Sequence, residues 1–389
     1  MGSARQLAVS PVVSKLEWRE FHAFKDRLYR DDPCYVRPLN FQRLAQLDDQ
    51  RNPFYQHASR QAFLCRSDGR VVGRIAAIVD RLHQQHYNDK VGCFGFFECE
   101  NDPAIARLLL AAAQQWLAER GCNAIRGPVN PSMKSDFGVL VEGNQYSPYI
   151  MMGHTPSYYH ELLLGSGFEV VRSFLALAMQ ALDDRLSYRQ NWDDYESLCQ
   201  RIRDRYPQIK IRTGNENDLE SDIRRINELG DEVRNTGWGF VPFTPEELDN
   251  MVVQLKRILK PDHAFLAEVD GRLVGYLMAL PDLNWALQRS RGPWDWLRMP
   301  QLLYWLRRTK RFRVIGLGVM PEYRHSGLAG LLIKKVYDDL GSKKYDAWEL
   351  SWVDSENIRS IRSIQGFVPV EPYKKYHLYQ RPIPLENKS

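Results

Sequence analysis

The residues best suited to chemistry lie between 319 and 329, in Val319-Met320-Pro321-Glu322-Tyr323-Arg324-His325-Ser326-Gly327-Leu328-Ala329. The run RVIGLGV ahead of them has the composition of a strand, and the residues after them have helical spacing. A chain turning from a strand into a helix leaves the first helical N–H groups without intrahelical partners, and the helix dipole adds partial positive charge there. Such a turn binds anions. Gly327 and Ala329 have little or no side chain, so a phosphate can approach the backbone, and Arg324 adds a cation. His325 sits inside the same loop, where anion binding suits it better than proton transfer.

The elements that must hold this loop can be read around it. IKIRTG (209–214) alternates as a short strand, and Ile223, Ile226 and Leu229 recur at helical spacing. Thr244-Pro245-Glu246-Glu247 opens a further helix with a cap, a proline and two acids. AFLAEVDGRLVGYLMAL (264–280) is a hairpin turning at Asp270-Gly271. A strand (311–320), a helix (327–341), a strand DAWELSW (346–352), a helix to about 364 and a β-rich tail follow. The expected order is β-α-α-β-β-β-α-β-α-β.

The first half repeats this order. AFLCRSDGRVVG (62–73) and AFLAEVDGRLVG (264–275) are identical at eight of twelve positions. A strand (91–100), an amphipathic helix (103–121), the strand NAIRGPV, a helix near 156–165 and the strand 168–179 complete the copy. A strand at 7–13 and helical material from Leu16 to about Leu47 precede it. Where the anion loop should recur, the first copy reads Glu100-Asn101-Asp102-Pro103, and its two acids repel phosphate. The turn- and aromatic-rich stretches 127–132 and 151–160 are candidates for lining a pocket, with loop packing as the plainer reading. His154 and His160 fall in the second.

Val-x-Pro, then Arg-x-x-Gly-x-Ala, then Gly366-Phe367, in this order of elements, resembles the GNAT acyltransferases. The resemblance implies an α/β (α+β) fold of two tandem GNAT-like domains, each a mixed, mostly antiparallel sheet flanked by helices. The expected bounds are 1–181 for a degenerate copy without a CoA site, 182–208 for a linker helix, and 209–389 for the catalytic copy. It further implies an acyl-CoA co-substrate (acetyl-CoA or a longer chain) and no metal. Its pantetheine arm would pair with the strand at Leu317, Gly318 and Val319. Its pyrophosphate would lie on Arg324, His325, Ser326, Gly327, Leu328, Ala329 and Gly330. The acceptor would be an amine.

In many members of that family a tyrosine four residues before the glycine of Gly-Phe protonates the leaving thiolate. Arg362 stands there in this chain, and Ser355 stands where an asparagine is common. Tyr376 is the candidate acid, with Tyr373 and Tyr379 as neighbours in the tail. Glu349 in DAWELSW is the candidate base; alternation places it opposite Trp348 and Leu350, and a solvent-facing carboxylate is the competing expectation.

About thirty residues, 282–310, are inserted between two strands that form a simple hairpin in most GNAT domains. WDWLRMPQLLYWLRRTK (294–310) carries three tryptophans, and Pro300 can start a helix with Leu302, Leu303 and Leu306 on one side. Aromatic residues beside cations suit an anionic bilayer interface through 294–311. Tryptophans packed between the two domains, or a docking site for an acidic acyl carrier protein, are the alternatives. A tandem fold with a degenerate first copy and this insertion is similar to a bacterial family that includes ceramide-synthase-like N-acyltransferases, which implies a long-chain acyl group or a lipid amine. A soluble acetyltransferase of a small amine or protein lysine, and a non-catalytic acyl-CoA or lipid binder, are the other two functional readings.

Bulk properties narrow the field. The chain has 389 residues, 44% hydrophobic and 26% charged, enough for two domains with cores. Net charge is +5, and the segment from Asp282 to Arg313 carries eight Lys/Arg and two Asp, so the excess is local. A nucleic-acid binder would spread its basic face over many elements, so none is expected. The six cysteines have no metal spacing and suit a reducing compartment. No export signal is visible, and no run reaches the ~20 apolar residues of a membrane span. The expected location is cytoplasmic, with a peripheral position on the inner membrane face if the insertion binds lipid.

Overall fold

The computed structural model describes residues 6–179, 192–234, 237–341, 345–368 and 370–384. The chain divides into two compact units, residues 1–173 with 375–389, and residues 174–374. These bounds differ from the expected 1–181 and 209–389. The physical reason is strand pairing: the last strand joins the first unit, and residues 174–179 pair in the second. Of the expected linker, 182–191 lie outside the described residues, and 192–205 form a helix of the second unit.

In chain order the first unit contains β1 (Leu7–Pro11), α1 (Lys15–Leu28), α2 (Asn40–Gln46), β2 (Ala58–Ser67), β3 (Arg70–Asp80), α3 (Arg81–Tyr87) and β4 (Val91–Cys99). Then come α4 (Pro103–Ala118), β5 (Ala124–Gly127), β6 (Val129–Asn130), β7 (Asp136–Phe137), β8 (Val139–Glu142), α5 (Tyr159–Leu164) and the start of β9 (Glu169–Met179). The expected helical stretch from Leu16 to Leu47 is thus two helices. Pro33 and Pro38 lie between them, and each disfavours helix at the residue before it. Strands pair antiparallel from β1 through β4, and β4 runs parallel to β5 over residues 91–93. Ile105, Leu109, Leu110 and Leu117 of α4 are buried against one face of this sheet. Phe21 and Phe24 of α1 fill a second cluster.

The second unit contains α6 (Trp192–Arg205), β10 (Lys210–Thr213), α7 (Leu219–Arg234), α8 (Pro245–Leu255), β11 (Ala264–Val269) and β12 (Arg272–Pro281). It continues with α9 (Leu283–Arg289), α10 (Asp295–Leu306), β13 (Arg311–Val319), α11 (Leu328–Val336), β14 (Ala347–Asp354), α12 (Ile358–Gln365) and the start of β15 (Glu371–Pro382). β10 to β13 are antiparallel, β13 runs parallel to β14, and β14 pairs antiparallel with residues 174–179. A full capping box at Thr244 and Glu247 starts α8, as its sequence predicts. Neighbouring residues of β12 show which helix covers which face: a Cβ on Gly275 would touch Leu328 of α11, whereas the Tyr276 hydroxyl lies near Gly230 of α7.

The insertion forms a helical pair, α9 and α10. Pro300 does not start α10, which begins at Asp295; the proline sits inside the helix and omits one backbone hydrogen bond there. Leu302 is buried, but Leu303 is exposed, so the expected leucine face is split. Trp285 and Trp305 meet edge to face at 6.0 Å, and Arg289 lies 3.7 Å over the Trp285 ring. These tryptophans therefore pack within the insertion itself. Trp294 and Trp296 are 59% and 70% exposed. Among the described residues no helix is long and apolar enough to cross a membrane.

Candidate functional site

In the second unit, β13 and β14 are paired only from Arg311–Ala347 to Val314–Leu350. Beyond that point β13 runs on to Val319 bonded to β12 alone, with a bulge between Gly316 and Val314. The Met320 N–H donates to the Val274 carbonyl at 2.9 Å. Backbone groups alternate along a strand, so those of Leu317 and Val319 point away from β12, toward the gap. An extended chain carrying amides can pair with such an edge. Gly316 and Gly318 are needed on the other face, where a Cβ would lie 3.1 and 2.4 Å from the Tyr276 ring.

β13 leads into the loop through a single turn at Pro321–Tyr323. Ser326 Oγ donates to the Tyr323 carbonyl at 2.7 Å and accepts from the Leu328 N–H at 3.2 Å, which fixes the turn. Gly327 caps α11 with φ +83°, a conformation that favours glycine, and a Cβ there would strike Ile202 of α6 at 2.4 Å. Gly330 lies under Phe367, so close that a Cβ would meet the ring at 2.1 Å. This explains the glycine at 330 and the ring of Phe367 above it. The caps leave the first-turn amides at 329–330 for an incoming anion. Arg324 and His325 are both exposed beside them. Strand edge, loop and cation thus fit the thioester arm and pyrophosphate of an acyl-CoA.

Glu349 does not face solvent. It is fully buried, opposite Arg313 in the β13–β14 ladder. Its Oε1 accepts from Ser351 Oγ at 2.5 Å and lies 3.7 Å from Arg313 Nε. Its Oε2 accepts from the Tyr373 hydroxyl. Arg313 also donates to Ser351, from Nε to Oγ at 2.8 Å and from Nη2 to the carbonyl at 2.9 Å. Two hydroxyls satisfy the oxygens of this buried side chain, and Arg313 lies beside it.

Tyr376 is placed elsewhere. It belongs to the first unit, is fully buried, and donates to the Gly153 carbonyl at 3.1 Å. The reason is the division of β15: residues from Lys375 onward pair with β5 and β8, whereas Tyr373 stays in the second unit. Of the three tail tyrosines, none of which its position in the sequence singled out as the acid, Tyr373 is the one that meets Glu349. The strand pattern YKKYHLYQ carries no signal of the division between Lys374 and Lys375. Tyr379 is also in the first unit and contacts His160 Nδ1 at 2.6 Å.

The two stretches suggested as pocket linings do line a cavity of the first unit, with ≈ 20 Å³ of room, about one water. Lys25, Glu98, Asn130, Asp136, His154 and Tyr159 surround it. Burial works to raise the pKa of Glu98, but Lys25, Arg74 and the Tyr29 hydroxyl outweigh it and hold the carboxyl below its ordinary value. Burial dominates at Asp136 and pushes its pKa up. His154 Nε2 lies 2.7 Å from Asp32. Among the described residues no group of three or more His, Cys, Asp or Glu converges as a metal site.

Geometry and relatives agree on the class. Residues 231–367 match the acetyltransferase (GNAT) family. The chain is 31% identical over 384 residues to Protein YghO of Escherichia coli (strain K12), covering 96% of this chain and 95% of that one. It is 29% identical over 384 residues to the bacterial ceramide synthase of Caulobacter vibrioides, covering 96% and 97%. A tandem GNAT protein from the clavulanic acid biosynthesis pathway shares the fold at a TM-score of 0.54 and 12% identity, covering 98% of this chain and all of that one. The chain belongs to the GNAT family. It is an acyl-CoA-dependent acyltransferase with the tandem form of the fold.

Proposed function

We propose that the protein transfers a long-chain acyl group from acyl-CoA to a primary amine drawn from an anionic membrane surface. The observation that carries this reading is the outer face of the insertion. Trp294, Trp296, Leu297, Leu303 and Tyr304 are exposed there, and Arg291, Arg307, Arg308 and Lys310 are exposed beside them. Aromatic and aliphatic side chains enter the headgroup boundary, and each cation near an anionic leaflet contributes about 1 kcal/mol. α10 has twelve residues, roughly 18 Å, so it lies on a bilayer rather than through it. One relative carries the name of a ceramide synthase, and a ceramide is an N-acylated long-chain amine.

In this reading the edge of Leu317 and Val319 aligns the donor arm, and Arg324 with the loop amides holds its pyrophosphate. The neutral amine attacks the thioester carbonyl, a C–N bond forms, and the C–S bond breaks. Flotation with phosphatidylglycerol-containing vesicles tests the surface. Wild type should float, and a Trp296→Ala/Arg307→Glu/Arg308→Glu variant should stay at the bottom. Equal behaviour of the two proteins sinks the membrane reading. Turnover with acetyl-CoA and a small soluble amine, but not with long-chain acyl-CoA, would favour the soluble acetyltransferase instead. Binding of acidic acyl carrier protein in place of vesicles would assign the face to that partner.

A further inference from the structure

The Glu349 cluster poses a problem for acyl transfer. A base must receive a proton from the amine, yet Glu349 is fully buried and both its oxygens accept hydrogen bonds. Arg313 and Ser351 are buried as well, at 3% exposure each. Tyr373 is the member of the cluster that is only partly buried. Any proton that reaches Glu349 from a substrate therefore passes most directly through the Tyr373 hydroxyl.

The position of the cluster matches where the reaction should occur. Glu349 pairs with Arg313, one rung below the last β13–β14 pair, Val314 with Leu350. From Val319 back to Val314 is about 17 Å of strand at ~3.3 Å per residue. An extended arm of two amides and their linkers covers that length. With the pyrophosphate at the Arg324 loop, the thioester falls at the base of the gap, beside the cluster.

We propose that Tyr373 is the catalytic residue that exchanges protons with the substrates, and that Glu349, held by Ser351 and Arg313, is the positioning residue and proton store behind it. This rests on the acyl-transfer reading and adds its proton path. As the amine nitrogen bonds to the carbonyl carbon, its proton passes to Tyr373 Oη, and the phenol proton passes to Glu349 Oε2. As the C–S bond breaks, the proton returns from Glu349 through Tyr373 to the thiolate. One amide and one CoA thiol are formed, and the pair is restored. The vacancy left by the family's helix tyrosine, where Arg362 stands exposed, is thereby filled from a strand.

The test uses the full chain, palmitoyl-CoA and a panel of long-chain primary amines. Tyr373→Phe and Glu349→Gln should each lower kcat about 100-fold, the usual scale of acid–base catalysis. The KM for acyl-CoA should not change, which separates this role from a structural one. The double variant should be no worse than either single, because the residues act as one unit. A Tyr373→Phe enzyme with full kcat, or losses that multiply, overturns the relay. Labelling tyrosine at Cζ gives a readout independent of turnover: the Tyr373 signal, assigned by its loss in Tyr373→Phe, should shift in Glu349→Gln. An unmoved signal overturns the pairing. A wild type that acylates no amine while that shift is present overturns the acyl-transfer reading and the relay together, leaving only the hydrogen-bonded pair.

Discussion

The two copies carry the same strand edge and treat it in opposite ways. In both, a glycine admits the following helix: a Cβ on Gly73 would strike Leu109 and Ile105 of α4, and one on Gly275 would press on Leu328 of α11. In both, the residue after the strand donates to the hairpin, Glu100 N–H to Val72 and Met320 N–H to Val274. The outward groups then diverge. In the first copy the Cys99 N–H donates to Tyr159 Oη at 3.0 Å, and the Cys99 carbonyl accepts from Tyr158 Oη at 2.8 Å. The Phe96 N–H donates to Asn130 Oδ1 at 2.6 Å. Three residues separate β4 from α4, and the Asp102 carboxylate accepts the Ala104 N–H at 2.8 Å. In the second copy eight residues intervene before α11, and the capping residue is a glycine with no side chain to offer. A buried backbone group left unpaired costs about 1–3 kcal/mol, so an edge that meets no ligand is sealed by the protein's own side chains. The site is a property of what is left open, not of the fold.

The largest expected effect breaks the open copy. Arg324→Glu removes a charge-assisted contact of about 1.5–3 kcal/mol, so acyl-CoA affinity should fall roughly 10- to 100-fold by isothermal titration. Folding stability should hold, because Arg324 is exposed. Asp102→Asn in the sealed copy should leave both affinity and a stoichiometry of one unchanged. Two acyl-CoA molecules per chain would break the comparison itself.

Next in size is the seal. Tyr159 is fully buried, accepts the Cys99 N–H and donates to Glu98 at 2.8 Å. Tyr159→Phe strands that N–H and removes a donor from a buried carboxylate, so stability should drop about 1–3 kcal/mol in urea denaturation. Acyl-CoA affinity should not move. If the variant instead gains a second acyl-CoA site, sealing alone distinguishes the copies.

Much of this contrast was legible in the residues. The repeat around Asp68-Gly69 and Asp270-Gly271 located both hairpins, and local turn chemistry fixes such hairpins. The loop from Arg324 to Ala329 was readable because its helix start is also local. What failed depends on distant pairing. Nothing in the alternation of the tail reveals that Lys375 onward pairs with β8 and then β5 while Tyr373 meets Glu349, since register is set by partners more than two hundred residues away in sequence. For Glu349 the residues left two expectations, a base or a solvent-facing carboxylate, for the same reason: period-two patterning puts Ser351 on its face but does not show that Arg313 of β13 pairs beside it. The tyrosines that seal the first copy, Tyr158 and Tyr159, read only as aromatic residues where a turn-rich stretch enters a helix.

The smallest effect is a pH dependence confined to the first unit. His22 on α1 is buried beside Trp18, and burial, reinforced by Arg74 and Arg43, lowers its pKa from the ordinary 6.5 to about 3. The folded form therefore keeps the ring neutral while the unfolded chain protonates it below pH 6.5. Stability contributed by this group is intact above that pH and is lost progressively as the pH falls toward 3. At pH 5.5 the loss is about 1.4 kcal/mol, one pKa unit's worth. His377 in the same unit behaves likewise, its pKa lowered to about 4 by burial and then by Lys375. Urea midpoints followed from pH 7 to 5 should decline for wild type, and His22→Phe should flatten the decline. A midpoint that stays constant in wild type would show that the charged ring is accommodated, and the polar interior of the first copy would then be more open than its sealed edge implies.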